Sequence, residues 1–143
     1  MKQGFKKNLA FITILILFFQ IKSSESQPAF TAASAYLSAY QGQSISLICN
    51  GVNMNTDDVV WQYLIPPSTT PVQIYIDNAL TISTGKYTVS SVQYAFGNIS
   101  TTLTITSLDP ADGSYIYQCE CNTYKTCTSV QTNADINVTA LGN

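Results

Sequence analysis

The stretch Leu103–Cys121, LTITSLDPADGSYIYQCEC, contains two segments with a two-residue period on either side of a turn signal. In the first segment leucine and isoleucine alternate with threonine, and in the second tyrosines and cysteines alternate with other residues. A two-residue period indicates a β-strand whose two faces meet different environments. The DPADG between the segments is typical of a turn. The stretch therefore predicts two β-strands joined by a tight corner.

The same period recurs along the chain, in QSISLICN (43–50), VVWQYL (59–64) and ADINVTA (134–140). These segments are rich in β-branched and aromatic residues, which favour strands. Turn signals such as PPSTTP, STGK and FGN separate them, and we find no helical stripe of apolar residues. Short strands at this spacing predict an all-β sandwich or barrel.

The N-terminus has the three-part layout of a secretory signal peptide. Three lysines precede the run Leu9–Phe19, which is apolar except for one threonine, and Ser24 and Ser26 suit a cleavage site. The run is shorter than the roughly 20 residues that a membrane-spanning helix needs. We therefore expect a signal peptide at 1–26 and a secreted domain at 27–143, with no membrane anchor. In an oxidising compartment, four cysteines predict two disulfides.

The predicted mature part has a net charge of −5, from two lysines and seven carboxylates. Such a surface disfavours nucleic acid and anionic membranes as partners. The chain has no histidine, the commonest general base. The adjacent Asp57 and Asp58 fit a solvated turn better than an acid/base pair. We expect no catalytic, metal or cofactor site, because oxidation favours disulfides over a zinc site among the clustered cysteines.

The order of Cys49, Trp61 and Cys119 resembles the immunoglobulin superfamily. The segments that carry the resemblance are GQSISLIC, VVWQY, LTITSLDPAD and YQC, which are spread along the mature chain, and the resemblance covers essentially all of it. The resemblance implies an immunoglobulin-like antiparallel β-sandwich with Greek-key connections, in which a Cys49–Cys119 disulfide joins the sheets and Trp61 packs against it. Cys121 and Cys127 would then pair across a hairpin. The rival pairing, Cys49–Cys121 with Cys119–Cys127, stays open.

The long interval between Cys49 and Cys119 leaves room for two extra strands, PVQIYIDN and ALTIS, as in variable-type domains. The last segment lacks the Gly-x-Gly bulge of antigen-receptor chains, so we expect a variable-like domain of another kind. GKYTVSS resembles the fourth family strand, with Lys86 expected to form an exposed ion pair with Asp112. In the family pattern D-x-G-x-Y-x-C the Asp lies six residues before the Cys, whereas Asp112 lies seven residues before Cys119. We interpret the extra residue as a β-bulge. Tyr117 lies two residues before Cys119, as the corner tyrosine of the family does. We therefore expect Tyr117 rather than Tyr115 to be the core tyrosine whose hydroxyl group makes the hydrogen bond at the corner before this strand.

The resemblance implies a function in binding, and we expect recognition of an extracellular or cell-surface protein in cell–cell recognition, adhesion or receptor modulation. The alternatives are a self-associating structural or matrix component and a secreted enzyme inhibitor. The candidate contact residues lie on two loops expected to cluster at one end of the sandwich: Tyr124 and Lys125 in one, and Asn53, Met54 and Asn55 in the other. Two N-glycan acceptor sequences, at Asn98 and Asn137, are expected to face solvent.

A second candidate contact is the outer face of the sheet that contains Trp61 and Cys119. Strand alternation predicts that six residues point away from the core there. Half of them are apolar, and we predict a weak homodimer or partner contact, although scattered surface hydrophobes need no explanation. The six residues are Val60, Gln62, Leu64, Ile116, Gln118 and Glu120.

Overall fold

A computed structural model of the chain describes residues 29–33, 36–122 and 132–140. The described strands are β1 (Ala29–Ala33), β2 (Tyr36–Tyr40), β3 (Ile45–Val52), β4 (Val59–Leu64), β5 (Val72–Ile76), β6 (Ala79–Leu80), β7 (Tyr87–Gln93), β8 (Ile99–Ile105), β9 (Ile116–Cys121) and β10 (Thr132–Thr139). Short 3-10 turns occur at Thr56–Asp58, Ala95–Gly97 and Pro110–Ser114.

The described strands form two sheets, one with the order β1-β3-β8-β7 and one with the order β2-β10-β9-β4-β5-β6. Neighbours are antiparallel except β2 and β10, which run parallel. The N-terminal segment therefore contributes β1 to one sheet and β2 to the other. With β5 and β6 extending the larger sheet, this order confirms the predicted all-β, variable-like sandwich.

The strands form where the sequence alternates, because one face of each sheet is covered by the other sheet. In β8, Ile99, Thr101, Leu103 and Ile105 are buried and the residues between them are partly exposed. The fully buried side chains of both sheets form one core cluster that includes both cysteines of the central disulfide.

The disulfide Cys49–Cys119 joins β3 to β9 across the core, with a Cα–Cα distance of 6.5 Å. This bond confirms the predicted pairing and excludes the rival Cys49–Cys121 bond. Trp61 is buried and lies opposite Cys119 in the β4–β9 ladder. Its Nε1 donates to Oγ1 of Thr101 over 3.1 Å, and the same oxygen accepts from Ser91 Oγ. The large aromatic ring is thus buried without an unsatisfied N–H.

The extra residue before Cys119 is not a bulge in β9, and that prediction is wrong. The β4–β9 ladder runs from Ile116 to Cys121 without a register shift. Before β9 the chain forms the 3-10 turn Pro110–Ser114, which Asp109 caps by accepting from the Ala111 N–H over 2.9 Å. A turn takes an added residue more easily than a strand that is paired on both sides.

Tyr117 makes the corner hydrogen bond. Its side chain is fully buried, and its hydroxyl donates to Oδ1 of Asp112 over 3.3 Å. Burial raises the pKa of Tyr117 well above its ordinary value of 10.0, and the nearby Tyr87 and Asp112 raise it further.

Candidate protein-binding site

Three connections meet at one end of the sandwich: the β3–β4 loop (53–58), the β5–β6 turn (77–78) and the start of the β9–β10 loop at Asn122. The backbone N–H of Asn122 donates to the carbonyl oxygen of Asp58 over 2.7 Å. Its Nδ2 donates to Oδ1 of Asp77, also over 2.7 Å. Asn122 is buried, and its bond to the exposed Asp77 is partly buried. One residue therefore joins all three connections, the β3–β4 loop through its backbone N–H and the β5–β6 turn through its side chain.

The β5–β6 turn has a fixed shape. Asp77 and Asn78 have φ values of 51° and 62°. Positive φ at both central residues is the signature of the two-residue type I′ hairpin, which Asn and Asp tolerate well. The Tyr75 hydroxyl donates to Oδ1 of Asn78 over 2.9 Å. The turn thus holds the Asp77 carboxylate in position for Asn122.

The β3–β4 loop is organised by a buried carboxylate. Asp58 is buried, and its Oδ2 accepts the backbone N–H of Asn55 over 2.7 Å, which caps the turn Thr56–Asp58. The expectation of a solvated Asp57–Asp58 pair is therefore wrong for Asp58, whereas Asp57 is exposed. The bond to the Asn55 N–H places this carboxylate against the loop backbone, where the residue is only 3% exposed.

Met54 is not a contact residue, contrary to the sequence-based prediction. It is only 1% exposed and belongs to the core cluster. Its N–H donates to the carbonyl of Gly97 over 2.8 Å, and its carbonyl accepts from Gln93 Nε2 over 3.0 Å. A Cβ on Gly51 would lie 2.6 Å from the Met54 sulfur, so the glycine makes room for this side chain. The flexible thioether closes the end of the core, while its neighbours Asn53 and Asn55 are exposed.

The two other predicted contact residues, Tyr124 and Lys125, lie outside the described residues. Cys121 is disulfide-bonded. Its predicted partner Cys127 also lies outside the described residues, so the Cys121–Cys127 pairing stays a prediction. With Cys119 and Cys121 both oxidised, neither is a thiolate ligand for zinc.

The outer face of β4 and β9 is less accessible than we predicted. The ladder places the six predicted residues on that face. Gln62 Nε2 donates to Gln118 Oε1 over 3.2 Å, and both side chains are buried, as is Val60. Leu64 and Ile116, which lie directly opposite each other, are half-buried, as is Glu120. The prediction that all six form an open contact surface is therefore wrong, because the polar side chains Gln62 and Gln118 pair with each other across the two strands.

At the β8–β9 corner, Lys86 contacts two carboxylates rather than one. Its Nζ lies 2.7 Å from Oδ2 of Asp112 and 2.7 Å from Oδ2 of Asp109. The Asp112 side chain is 0% exposed and that of Asp109 is 50% exposed, so the expected exposed Lys86–Asp112 pair is in fact half buried. Burial would lower the pKa of Lys86, but the hydrogen bonds to both carboxylates outweigh it and raise that pKa above 10.5. The bond from Lys86 lowers the pKa of Asp109 below 3.8.

Both glycan acceptor asparagines are accessible. Asn98 follows the Ala95–Gly97 turn and Asn137 lies in β10, and both side chains are exposed. Their neighbours Ile99 and Ile136 are buried, as strand alternation requires.

Neither a protein-family model nor a curated protein sequence matches the chain. Among solved structures, it is similar to the one described as "Crystal Structure of the RIG-5 IG1 homodimer", with a TM-score of 0.62 and 17% sequence identity. The match covers 80% of this chain and 99% of that one. No helix within the described ranges is long and apolar enough to cross a membrane. The sheet order, the Cys49–Cys119 disulfide and this structural similarity together show that the described residues have the immunoglobulin-like fold.

Proposed function

We propose that the protein is a secreted, single-domain module that recognises another extracellular protein through the loop end of its sandwich. Domains of this fold generally act in protein–protein recognition and are typically not enzymes, although fold alone does not fix function. The observation that carries the proposal is the position of Asn122, which hydrogen-bonds to the β3–β4 loop and to the β5–β6 turn at once.

These hydrogen bonds favour binding because loops that are already ordered lose little conformational entropy when they contact a partner. Asn53 and Asn55 offer exposed polar groups on the anchored β3–β4 loop. In the proposal, Tyr124 supplies the apolar anchor, a residue type common in hot spots. Lys125 selects an acidic group on the partner.

Export is part of the proposal. The signal peptide at 1–26 and the domain at 27–143 are supported by the three-part layout of the N-terminus. A disulfide through the core suits an oxidising, extracellular compartment. N-terminal sequencing of protein secreted from eukaryotic cells tests the boundary, and a mature chain that starts upstream of residue 20 would contradict it.

The binding proposal is tested with a partner found by an unbiased screen of extracellular and cell-surface proteins. The double variant Tyr124→Ala with Lys125→Ala should lose about 2 kcal/mol or more of binding free energy, the loss expected of a hot spot. A matched control changes Thr88 and Ser90 to alanine, because both are exposed on the other sheet. Titration calorimetry measures the affinities, and circular dichroism verifies that each variant is folded.

Asn122→Ala gives a second, independent readout. It removes the hydrogen bond to Asp77 but no predicted contact residue, so affinity should fall through loss of loop order. Amide exchange should then become faster in the β5–β6 turn, residues 77–78, because the variant keeps the backbone bond from residue 122 to Asp58. Full affinity in both the Asn122 variant and the double variant would place the binding site elsewhere on the domain.

A second candidate function is weak self-association. The similar solved structure is described as a homodimer. On this chain the half-buried pair Leu64 and Ile116 is the accessible apolar part of the outer face of β4 and β9. Leu64→Glu with Ile116→Glu should abolish any dimer seen by sedimentation at high concentration. Dimerisation that survives this change would exclude the face.

A further inference from the structure

One end of the β7–β8 hairpin exposes three large apolar side chains, those of Val92, Tyr94 and Phe96. Phe96 is 93% exposed and has a φ of 65°. Positive φ is a strained conformation for a bulky side chain, and a glycine or asparagine would adopt it more easily. A phenylalanine at this position therefore adds nothing evident to the stability of the fold, because its backbone conformation is strained and its side chain is exposed. The residue fits a role that needs an aromatic ring held in solvent.

The glycan acceptor Asn98 lies within this patch. The Tyr94 N–H donates to the Asn98 carbonyl over 2.7 Å, and the next pairs along the hairpin are Gln93 with Ile99 and Val92 with Ser100. Because Ile99 is buried, Asn98 and Ser100 lie on the outward face of the sheet.

The aromatic side chains are within reach of a sugar on Asn98. Directly opposed residues of an antiparallel pair have Cβ atoms about 5 Å apart, which places Tyr94 next to Asn98. Phe96 is two residues from Asn98, so their Cα atoms are at most about 7 Å apart.

We propose that Tyr94 and Phe96 form a platform for the first N-acetylglucosamine of an N-glycan on Asn98. One face of this sugar ring presents several C–H bonds and no hydroxyl group. The face of an aromatic ring is the negative side of its quadrupole and attracts such C–H groups, while contact removes apolar surface from water. The covalent link to Asn98 holds the sugar beside the rings at high effective concentration, so the contact loses little further entropy.

The position of the rings favours a glycan over a protein as the occupant. A glycan on Asn98 would stand between the patch and any approaching protein surface. The turn that presents the rings is itself fixed, because the Gly97 carbonyl accepts from Met54 N–H over 2.8 Å and a Cβ on Gly97 would lie 3.2 Å from the Asn53 Cα. A fixed turn suits a sugar ring that has one size and is always attached at the same residue, Asn98.

The experiment compares three glycan states of the full chain secreted from eukaryotic cells, in an Asn137→Gln background so that only Asn98 contributes. The states are the intact glycan, a glycan trimmed enzymatically to one N-acetylglucosamine, and complete enzymatic removal. In the parent chain, trimming should leave the Tm nearly unchanged and complete removal should lower it by about 2–8 °C. In the Tyr94→Ala, Phe96→Ala variant, removal should change the Tm by less than about 1 °C.

Because each variant is compared with itself across glycan states, any intrinsic effect of the substitutions cancels. Ile65→Ala, an exposed apolar residue beyond β4, is the matched control and should respond to deglycosylation as the parent does. NMR adds a direct readout, since ring currents should shift the C–H protons of the first sugar upfield in the parent and not in the variant.

Three results would overturn the proposal. They are an unmodified Asn98 by mass spectrometry, an equal Tm loss in parent and variant, and a Tm loss on trimming as large as on complete removal. The inference rests on the export part of the proposed function but not on the binding site. Failure to bind a partner through Tyr124 and Lys125 therefore leaves the glycan proposal intact. In the same way, a glycan that makes no contact with Tyr94 and Phe96 leaves the binding proposal intact.

Discussion

Replacing Lys86 by methionine should destabilise the domain far more than removing the more exposed of its two carboxylate partners. Asp112 and Asp109 lie at the same 2.7 Å from the Lys86 ammonium and differ chiefly in burial. Methionine keeps the apolar stem of lysine and removes only the charge. The comparison therefore separates the effect of burial from the effect of distance.

The magnitude follows from what each variant leaves behind. Lys86→Met leaves a fully buried carboxylate with two remaining donors, the Asp109 N–H at 2.8 Å and the Tyr117 hydroxyl at 3.3 Å. Breaking a buried ion pair by removing one partner costs about 3–5 kcal/mol. The Lys86 side chain is itself 23% exposed, so water screens part of the pair and we expect about 2–3 kcal/mol. Asp109→Asn keeps the cap on the turn and removes a solvent-exposed pair, which should cost about 0.2–1 kcal/mol.

Unfolding of the three proteins in urea, an uncharged denaturant that does not screen ion pairs, measures these differences at pH 7, and an acid titration gives a second test. The folded pKa of Asp109 lies below its unfolded value of 3.8, so its contribution is present above pH 3.8 and disappears as the pH falls below it. That contribution should be missing from the Lys86→Met protein. A cost for Lys86→Met no larger than that for Asp109→Asn would refute the reasoning that burial decides the strength of this pair.

Three further predictions concern the core. Met54→Ala should cost about 2–5 kcal/mol in denaturant unfolding, because it leaves a cavity at the loop end, and a cost under about 0.5 kcal/mol would mean that the side chain is not packed. Thr101→Val should cost about 1–3 kcal/mol by leaving the Trp61 N–H without its acceptor, and a neutral effect would show that another acceptor replaces it. Burial raises the pKa of Tyr117 above 10.0, so its contribution to stability should be complete below pH 10 and should fall as the pH rises above 10. Tyr117→Phe should therefore reduce the decline of Tm with pH, and an unchanged decline would contradict this assignment.

Much of the fold could be predicted because its signals are periodic or covalent. Alternation in the sequence locates β3, β4, β8 and β9, and in β3 and β8 the burial of the side chains follows the same alternation. The spacing of Cys49, Trp61 and Cys119 then orders the strands, because a disulfide between two sheets and the ring beside it permit few arrangements. These features depend on the identities of many residues at once, and a single exception does not alter them.

The candidate site was less predictable because loop side chains follow no period. Nothing in the local sequence indicates that Met54 turns inward while Asn53 and Asn55 stay exposed. The signal that was missed is Gly51, which leaves space for the Met54 sulfur, but only the folded chain brings the two together. Asn122 was missed for the same reason, since its two acceptors are distant in sequence and become neighbours through sheet order.

The structure also limits how the protein can use positive charge. Lys86 and Lys125 are the two lysines of the predicted mature chain, which has no arginine. Lys86 is held between Asp109 and Asp112 at the corner of the sandwich, where its charge is balanced by two carboxylates. Long-range attraction of an acidic partner would therefore have to overcome the net negative charge of the domain, and salt shortens the reach of that repulsion to about 8 Å at physiological ionic strength. Recognition through Lys125 must then depend on close contact after the surfaces meet, which is the regime in which loops ordered in advance by Asn122 have the greatest effect on affinity.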